Sequence, residues 1–211
     1  MRLDHVSYVA SHDQISDVVN RIGSQIGTAF VDGGIHPKFG TRNFTAPLLN
    51  GQYIEVVCPL DHPATDATPF GKAVVGKARE GGGWLTWVLS TPNLQTLENV
   101  MSRKAISGER NKPNGEKLYW KQIGINNLED NPNFPFYIQW ISKNHPSRDG
   151  IPKAKISTLT FYGLEFNEIS NSKVNLSDLN LDCRIKFENS NDLLGPKSVT
   201  FTVEENEVVI Y

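Results

Sequence analysis

Apolar residues interspersed with polar ones along residues 3 to 10, Leu3-Asp4-His5-Val6-Ser7-Tyr8-Val9-Ala10, include the β-branched and aromatic side chains that predict a strand. The period then changes. Ile15, Val18, Val19 and Ile22 recur at helical spacing after Ser11, His12 and Asp13, and Gly23 is read as the helix stop. Thr28 to Val31 reads as a strand. The turn-forming segment Asp32-Gly33-Gly34-Ile35-His36-Pro37-Lys38-Phe39-Gly40 is expected to cross a surface or line a pocket. Arg42 to Leu49 and Gln52 to Cys58 form a hairpin across Asn50-Gly51, a strong two-residue turn signal.

The same order then restarts. Pro59 to Pro69 reads as a linker and Phe70 to Arg79 as a short helix. Trp84 to Ser90 is a strand, Pro92 to Lys104 a helix with proline in its first turn, and Ile106 to Arg110 a short strand. Asn114-Gly115 leads into Lys117 to Ile123, and Pro135 to Ile141 closes the set. Even the wording repeats: Gly51-Gln52-Tyr53-Ile54-Glu55-Val56-Val57 is echoed by Phe134-Pro135-Phe136-Tyr137-Ile138-Gln139-Trp140-Ile141, with Gln139 matched to Glu55. The predicted organisation is a first βαβββ module over 1–60, a linker over 61–82, a second module over 83–147 and a mostly β appendage over 148–211. Within that appendage Ile156 to Phe166 reads as a strand, and Val199 to Val203 pairs with Val208 to Tyr211 across Glu205-Asn206.

Composition narrows the partners. At 211 residues, 38% hydrophobic and 21% charged, the chain can bury one sizeable core or two small ones. A net charge of −2 gives no long-range field for nucleic acid or anionic lipid. Cys58 and Cys183 cannot form a disulfide framework and are expected as reduced, buried thiols. The absence of a signal-like start and of a bilayer-length apolar run predicts a cytoplasmic protein with no membrane partner. Gly81-Gly82-Gly83 lacks the lysine of a phosphate loop, and no nucleotide cofactor is expected.

Three groups of residues carry candidate chemistry. Glu55 interrupts an apolar strand, where a carboxylate needs a partner or a polar cleft, and Gln139 is placed opposite it as a donor. His5 is either a functional imidazole or a strand histidine bonded to a backbone carbonyl. His36, Arg42 and Asn43 suit an oxyanion-bearing ligand, or else form a glycine-rich turn whose Arg pairs with an acidic neighbour. Trp84, Trp87, Trp120 and Trp140 all fall in the second half, where Trp84 and Trp120 are candidates for an aromatic wall.

The βαβββ repeat, the histidine on the first strand, the glutamate on the fourth and the run from Gly33 to Asn43 together resemble the glyoxalase-like domain of the vicinal oxygen chelate superfamily. Arg110, Pro113-Asn114-Gly115, Leu118, Trp120, the Phe136 to Trp140 run and His145-Pro146 resemble its second module. The resemblance covers about residues 1 to 147 and implies an α+β fold of two modules whose curved sheets form a cleft. It also implies a divalent metal (zinc, iron, manganese or nickel) at His5 and Glu55, with Trp84 and Gln139 at the matching positions of the second module. A loop after the second strand that bends into the cleft would add His36 as third ligand, and Arg42, Asn43, Trp84, Trp120 and Gln139 are candidates to surround a small-molecule substrate. Two function classes follow: a metal-dependent lyase, isomerase or ring-opening enzyme, or a non-catalytic binder with a degenerate metal site. A metal-free variant of the enzyme would use Glu55 as general base, helped by His5, and requires a raised Glu55 pKa. The resemblance allows either a monomer with a complete cleft or a homodimer.

Overall fold

The computed structural model describes residues 1–125, 132–163, 179, 181–190 and 192–211. Its first four strands are β1 (Arg2–Val9), β2 (Val31–His36), β3 (Thr41–Pro47) and β4 (Tyr53–Pro59), with helix α1 (Ile15–Ile26) between β1 and β2. Helices α2 (Pro63–Ala67) and α3 (Pro69–Arg79) follow. The second set is β5 (Gly83–Ser90), α4 (Gln95–Met101), β6 (Ile106–Asn111), β7 (Lys117–Ile123) and β8 (Phe136–Trp140). All eight strands close into one barrel in the order β1-β4-β3-β2-β6-β7-β8-β5. A separate sheet holds β9 (Ala154–Tyr162), β10 (Arg184–Glu188), β11 (Gly195–Val203) and β12 (Asn206–Ile210), ordered β10-β9-β11-β12. Strand β10 comes from the Asn- and Ser-rich middle of the appendage, where the alternation gave no strand.

Several local expectations change. The helix runs through Gly23 and ends at Gly27, whose φ of 65° and N–H bond to the Gly23 carbonyl form the left-handed cap. Gly23 answers a packing demand instead, because a Cβ there would lie 3.0 Å from the Thr28 carbonyl oxygen. The segment from Asp32 to Gly40 is a strand as far as His36, with only the remainder a turn. Gly34 explains its glycines: at φ +93° it sits where β2 meets β6, and a Cβ would be 1.8 Å from the Asn111 carbonyl oxygen. The single pair Ile35 and Asn111 joins the two modules there, so a side chain at Gly34 would open that seam. The expected linker begins with a helix, α2, whose Thr65 hydroxyl bonds the Gly40 and Leu60 carbonyls. The curved sheets expected to form a cleft close into one barrel, and the cleft is the pocket in its interior.

Closure sorts side chains by strand alternation into an inner and an outer layer. Val9, Val57, Val88, Trp120, Phe136 and Ile138 turn inward and meet Phe39 and Phe70. Val6, Ile54, Val56, Trp87, Leu89 and Tyr137 turn outward. That outer layer is covered by Ile15, Ile22 and Ile26 of α1 and by Ile156, Leu159, Phe161, Val199 and Phe201 of the four-stranded sheet. Each fully buried side chain of this kind stabilises the fold by about 1.5–3 kcal/mol. The appendage therefore serves as an outer wall of the barrel, leaving the interior as the place for chemistry. No helix among the described residues is long and apolar enough to cross a membrane.

Candidate functional site

The barrel interior holds a pocket whose empty space, open mouth included, is about 410 Å³. The first module lines it with His5, His36, Phe39, Tyr53 and Glu55, and α3 adds Phe70. The second contributes Arg110, Trp120, Gln122 and Trp140, with Ile125, Phe136 and Ile138 completing the wall. His5, His36, Glu55 and Trp120, four of the residues singled out in the sequence, are thus brought together.

Glu55 is 5% exposed and tied at both oxygens: Ser7 Oγ donates to Oε2 at 2.7 Å and Asn43 Nδ2 to Oε1 at 2.5 Å. Ser7 lies two residues from His5 on the same inward face, beside Glu55 in the parallel β1–β4 ladder. Burial alone would raise the Glu55 pKa; the His36 and His5 imidazoles and the two hydrogen bonds outweigh it and hold the carboxyl below its ordinary value. The raised value that a Glu55 general base requires is therefore not found. His36 is depressed to about 4, mainly by burial, with Arg110 and His5 adding to the effect against the opposing Glu55 charge. Its imidazole is neutral near pH 7, and its Nδ1 lies 3.0 Å from Thr41 Oγ1.

A residue that the sequence reading passed over organises His5. Asp4 is fully buried, and its Oδ2 lies 3.0 Å from His5 Nδ1 and accepts from Trp140 Nε1 at 3.1 Å. Its Oδ1 lies 3.2 Å from His145 Nε2 and 3.0 Å from an Arg2 nitrogen. Burial pushes the Asp4 pKa up, but the bonds and charges of His145 and His5 reverse that and keep it ionised well below the usual carboxylate range. A carboxylate can only accept, so the hydrogen of His5 is on Nδ1, and Nε2 has no hydrogen-bond partner among the described residues. Tyr53 stacks on the same imidazole, with ring centroids 4.4 Å apart and planes 21° from parallel. A register shift in the β1–β5 ladder between Leu3 and His5 accompanies this arrangement. It replaces the backbone carbonyl considered as the His5 partner. His145 is drawn in as well, capping the turn Pro146–Arg148 through Nδ1 while Nε2 reaches Asp4.

Other expected site residues lie elsewhere. Arg42 points away from the pocket, pairing with Asp32 and passing over the Phe44 ring at 5.6 Å. Asn43 sits beneath the pocket as a donor to Glu55. Trp84 turns outward, where Nε1 donates to the Ile210 carbonyl at 2.8 Å and the ring meets Tyr8 and Phe201. Gln139 is half-buried and out of the pocket, because the inward residues of β8 are Phe136, Ile138 and Trp140. Tyr53 and Glu55 face inward, whereas their counterparts in the wording, Tyr137 and Gln139, alternate with the inward residues of β8. The shared Tyr-Ile wording is one residue out of step with the structure, and a one-residue slip exchanges the faces of a strand. Arg110 and Gln122, which do face the pocket, carry the inward alternation of β6 and β7: Gly108 and Arg110, then Trp120 and Gln122.

The metal-ligand set implied by the resemblance does not fit. Among the described residues no three His, Cys, Asp or Glu side chains are grouped so as to hold a metal ion. A cationic guanidinium, in place of a further anionic ligand, shares the cavity with Glu55. Cys58 faces the outer layer, and burial raises its thiol pKa to about 11, which leaves it an inert packing group.

Comparison with known proteins agrees with this architecture. A protein described as hypothetical from Staphylococcus aureus is similar over 97% of this chain and 92% of its own, at 20% identity and a TM-score of 0.72, so the shared fold includes the C-terminal sheet. Methylmalonyl-CoA epimerase from Mycobacterium tuberculosis is similar over 65% of this chain and 85% of its own, at 13% identity and a TM-score of 0.43. A variant of the Streptomyces coelicolor methylmalonyl-CoA epimerase in complex with 2-nitronate-propionyl-CoA gives 68%, 99%, 12% and 0.44 for the same quantities. No curated protein matches in sequence. The glyoxalase-like domain matches residues 3–176, most of the chain. With two sets of strand, helix and three strands joined around one interior, the chain belongs to the glyoxalase-like domain family.

Proposed function

We propose that the barrel interior binds a small carbonyl metabolite and moves a proton on it without a resident metal, as a lyase or isomerase. The observation that carries this reading is the buried Asp4 on His5 Nδ1, which leaves the lone pair of Nε2 as the acceptor in an aromatic pocket. Asp4 is a positioning residue: it fixes the tautomer and, with ionised Glu55, stabilises the imidazolium formed when His5 takes a proton. Glu55 suits that electrostatic role better than the role of base, since its lowered pKa makes it a poor acceptor near pH 7. In the step, a C–H bond beside the carbonyl breaks, the proton goes to His5 Nε2, and the electron pair moves to the carbonyl oxygen. Where the adjacent carbon bears a hydroxyl, its proton passes to the former carbonyl oxygen and His5 returns its own proton to the former carbonyl carbon, which completes an isomerisation.

Solvent-deuterium incorporation into pyruvate and dihydroxyacetone, followed by NMR with and without chelator, tests this reading. The expected result is incorporation that chelator leaves unchanged and that His5→Gln abolishes while binding persists. Glu55→Gln should slow it by about tenfold to a hundredfold through the lost charge. Loss on chelation would overturn the metal-free reading. Binding of both compounds without incorporation would favour a non-catalytic binder, a second reading supported by the aromatic walls from Phe39, Phe70, Trp120, Phe136 and Trp140.

A further inference from the structure

Arg110 is 2% exposed, and the guanidinium edge formed by Nε and Nη2 has no hydrogen-bond partner among the described residues. A buried cation left this way is unfavourable, and nearby carboxylates do not relieve it. Glu55 is held by Ser7 and Asn43, Asp4 by the two histidines and Trp140, and Glu116 by Lys112 and Asn144. The edge formed by Nε and Nη2 is the one that meets a carboxylate through two parallel bonds. Gln122, also 2% exposed, lines the same pocket with its Nε2 unpaired, while its Oε1 accepts from Trp120 Nε1 at 2.6 Å. That bond fixes which end of the amide is the donor. The chain leaves room for the guanidinium: a Cβ on Gly33 would lie 3.0 Å from Arg110 Nη1 and 2.2 Å from Asn43 Oδ1.

We infer that Arg110 and Gln122 form a subsite for the carboxylate of a small ligand whose flat or apolar body lies against Trp120, Trp140 and Phe136. The unpaired groups of these two residues are all donors, so an anionic oxygen complements them and a divalent cation does not. This inference rests on the reading that the barrel interior takes a ligand; it names the chemical class and adds a specificity residue on the side opposite Glu55 in the duplication. In a proton transfer beside a carbonyl, the same donors would also hold the ligand's carboxylate while His5 acts.

The test uses full-length protein titrated with acetate and benzoate, and with acetamide and benzamide as neutral analogues, ionic strength being matched with chloride. Tryptophan fluorescence reports occupancy at Trp120 and Trp140, and the Arg110 Nε–H resonance reports the subsite itself. Carboxylates should bind at least about tenfold more tightly than the amides and shift Arg110 Nε–H, as charge-assisted bidentate bonds require. Arg110→Met should erase the preference and Arg110→Lys should keep part of it. The wild-type resonance needs no variant, so a folding defect in Arg110→Met leaves the inference testable. Equal binding of amides and carboxylates, or carboxylate binding that leaves Arg110 Nε–H unmoved, would overturn the subsite while leaving the pocket reading in place. A pocket in which neither the tryptophans nor the His5 ring respond to any of the four compounds would overturn both.

Discussion

The two modules share a fold but divide the pocket between different chemistries. Inward positions of the first carry His5, Ser7, His36, Asn43 and Glu55, a set of buried ionisable groups and the donors that hold them. Inward positions of the second carry Phe136, Ile138, Trp120 and Trp140, with Arg110 and Gln122 as the polar exceptions. A duplicated barrel supplies two equivalent walls, and here one carries the buried imidazoles and carboxylate and the other is mostly apolar, with one guanidinium and one carboxamide. The modules also depend on each other: Asp4 of β1 accepts from Trp140 of β8, and Gly33 of β2 makes space for Arg110 of β6.

Removing Asp4 should break this interdependence most severely. Asp4→Ala strips His5, His145 and Trp140 of a shared buried acceptor and should cost about 3–5 kcal/mol, read by chemical denaturation. A loss below about 1 kcal/mol would mean the modules are not joined through that carboxylate. Next in size is a pH effect. The His36 pKa is lowered from an unfolded value near 6.5 to about 4, so the unfolded chain binds the extra proton across that window and stability falls as pH drops through it. The effect is about 3 kcal/mol at most between pH 6.5 and 4, and His36→Gln should flatten that part of the stability profile. An unchanged profile in the variant would place the titration elsewhere.

Gly33→Ala sharpens the comparison from the packing side. Its Cβ would press on Asn43 and Arg110 together, one group from each side of the division, at an expected cost of about 1–3 kcal/mol. The smallest effects belong to residues that face away from the pocket. Arg42→Ala removes a partly exposed pair with Asp32 and should change stability by no more than about 1 kcal/mol, with ligand affinity untouched. Gln139→Ala should likewise leave affinity unchanged, in contrast to Gln122→Ala. A loss of binding in Gln139→Ala would restore the sequence-based pairing with Glu55 and contradict the inward register of β8.

Alternation and turn chemistry made most strands legible: Asn50-Gly51 forms its turn with φ values of 62° and 68°, and β7 spans the residues the pattern marked. The inward placement of His5 and Glu55 was legible too, because a charged residue in an apolar strand has to face a polar partner. The pairing of the modules was not. Tyr53-Ile54 and Tyr137-Ile138 read alike in sequence yet turn opposite faces to the pocket, because similarity of letters does not record the direction of a side chain. Trp84 has the parity of inward Val88, but the register shift in the β1–β5 ladder beside it turns its indole outward to answer a backbone carbonyl of β12. Asp4 was hidden by its position beside His5, where strict alternation would have turned it to the opposite face; the irregular register of β1 is a tertiary feature. Arg110 could have been found from the inward alternation of β6, as a cation two residues after Gly108, whose Cβ would strike the Trp120 ring at 2.3 Å.

The central claim is that the first module holds a proton acceptor rather than a metal. Elemental analysis of protein purified without chelator or His-tag, before and after adding back zinc, iron, manganese or nickel, tests it most directly, with a His5→Ala, Glu55→Ala double variant treated identically. The account predicts no stoichiometric metal and no difference between the two proteins. Near-stoichiometric metal in the wild type that disappears from the variant would contradict it and return His5 and Glu55 to the role of ligands.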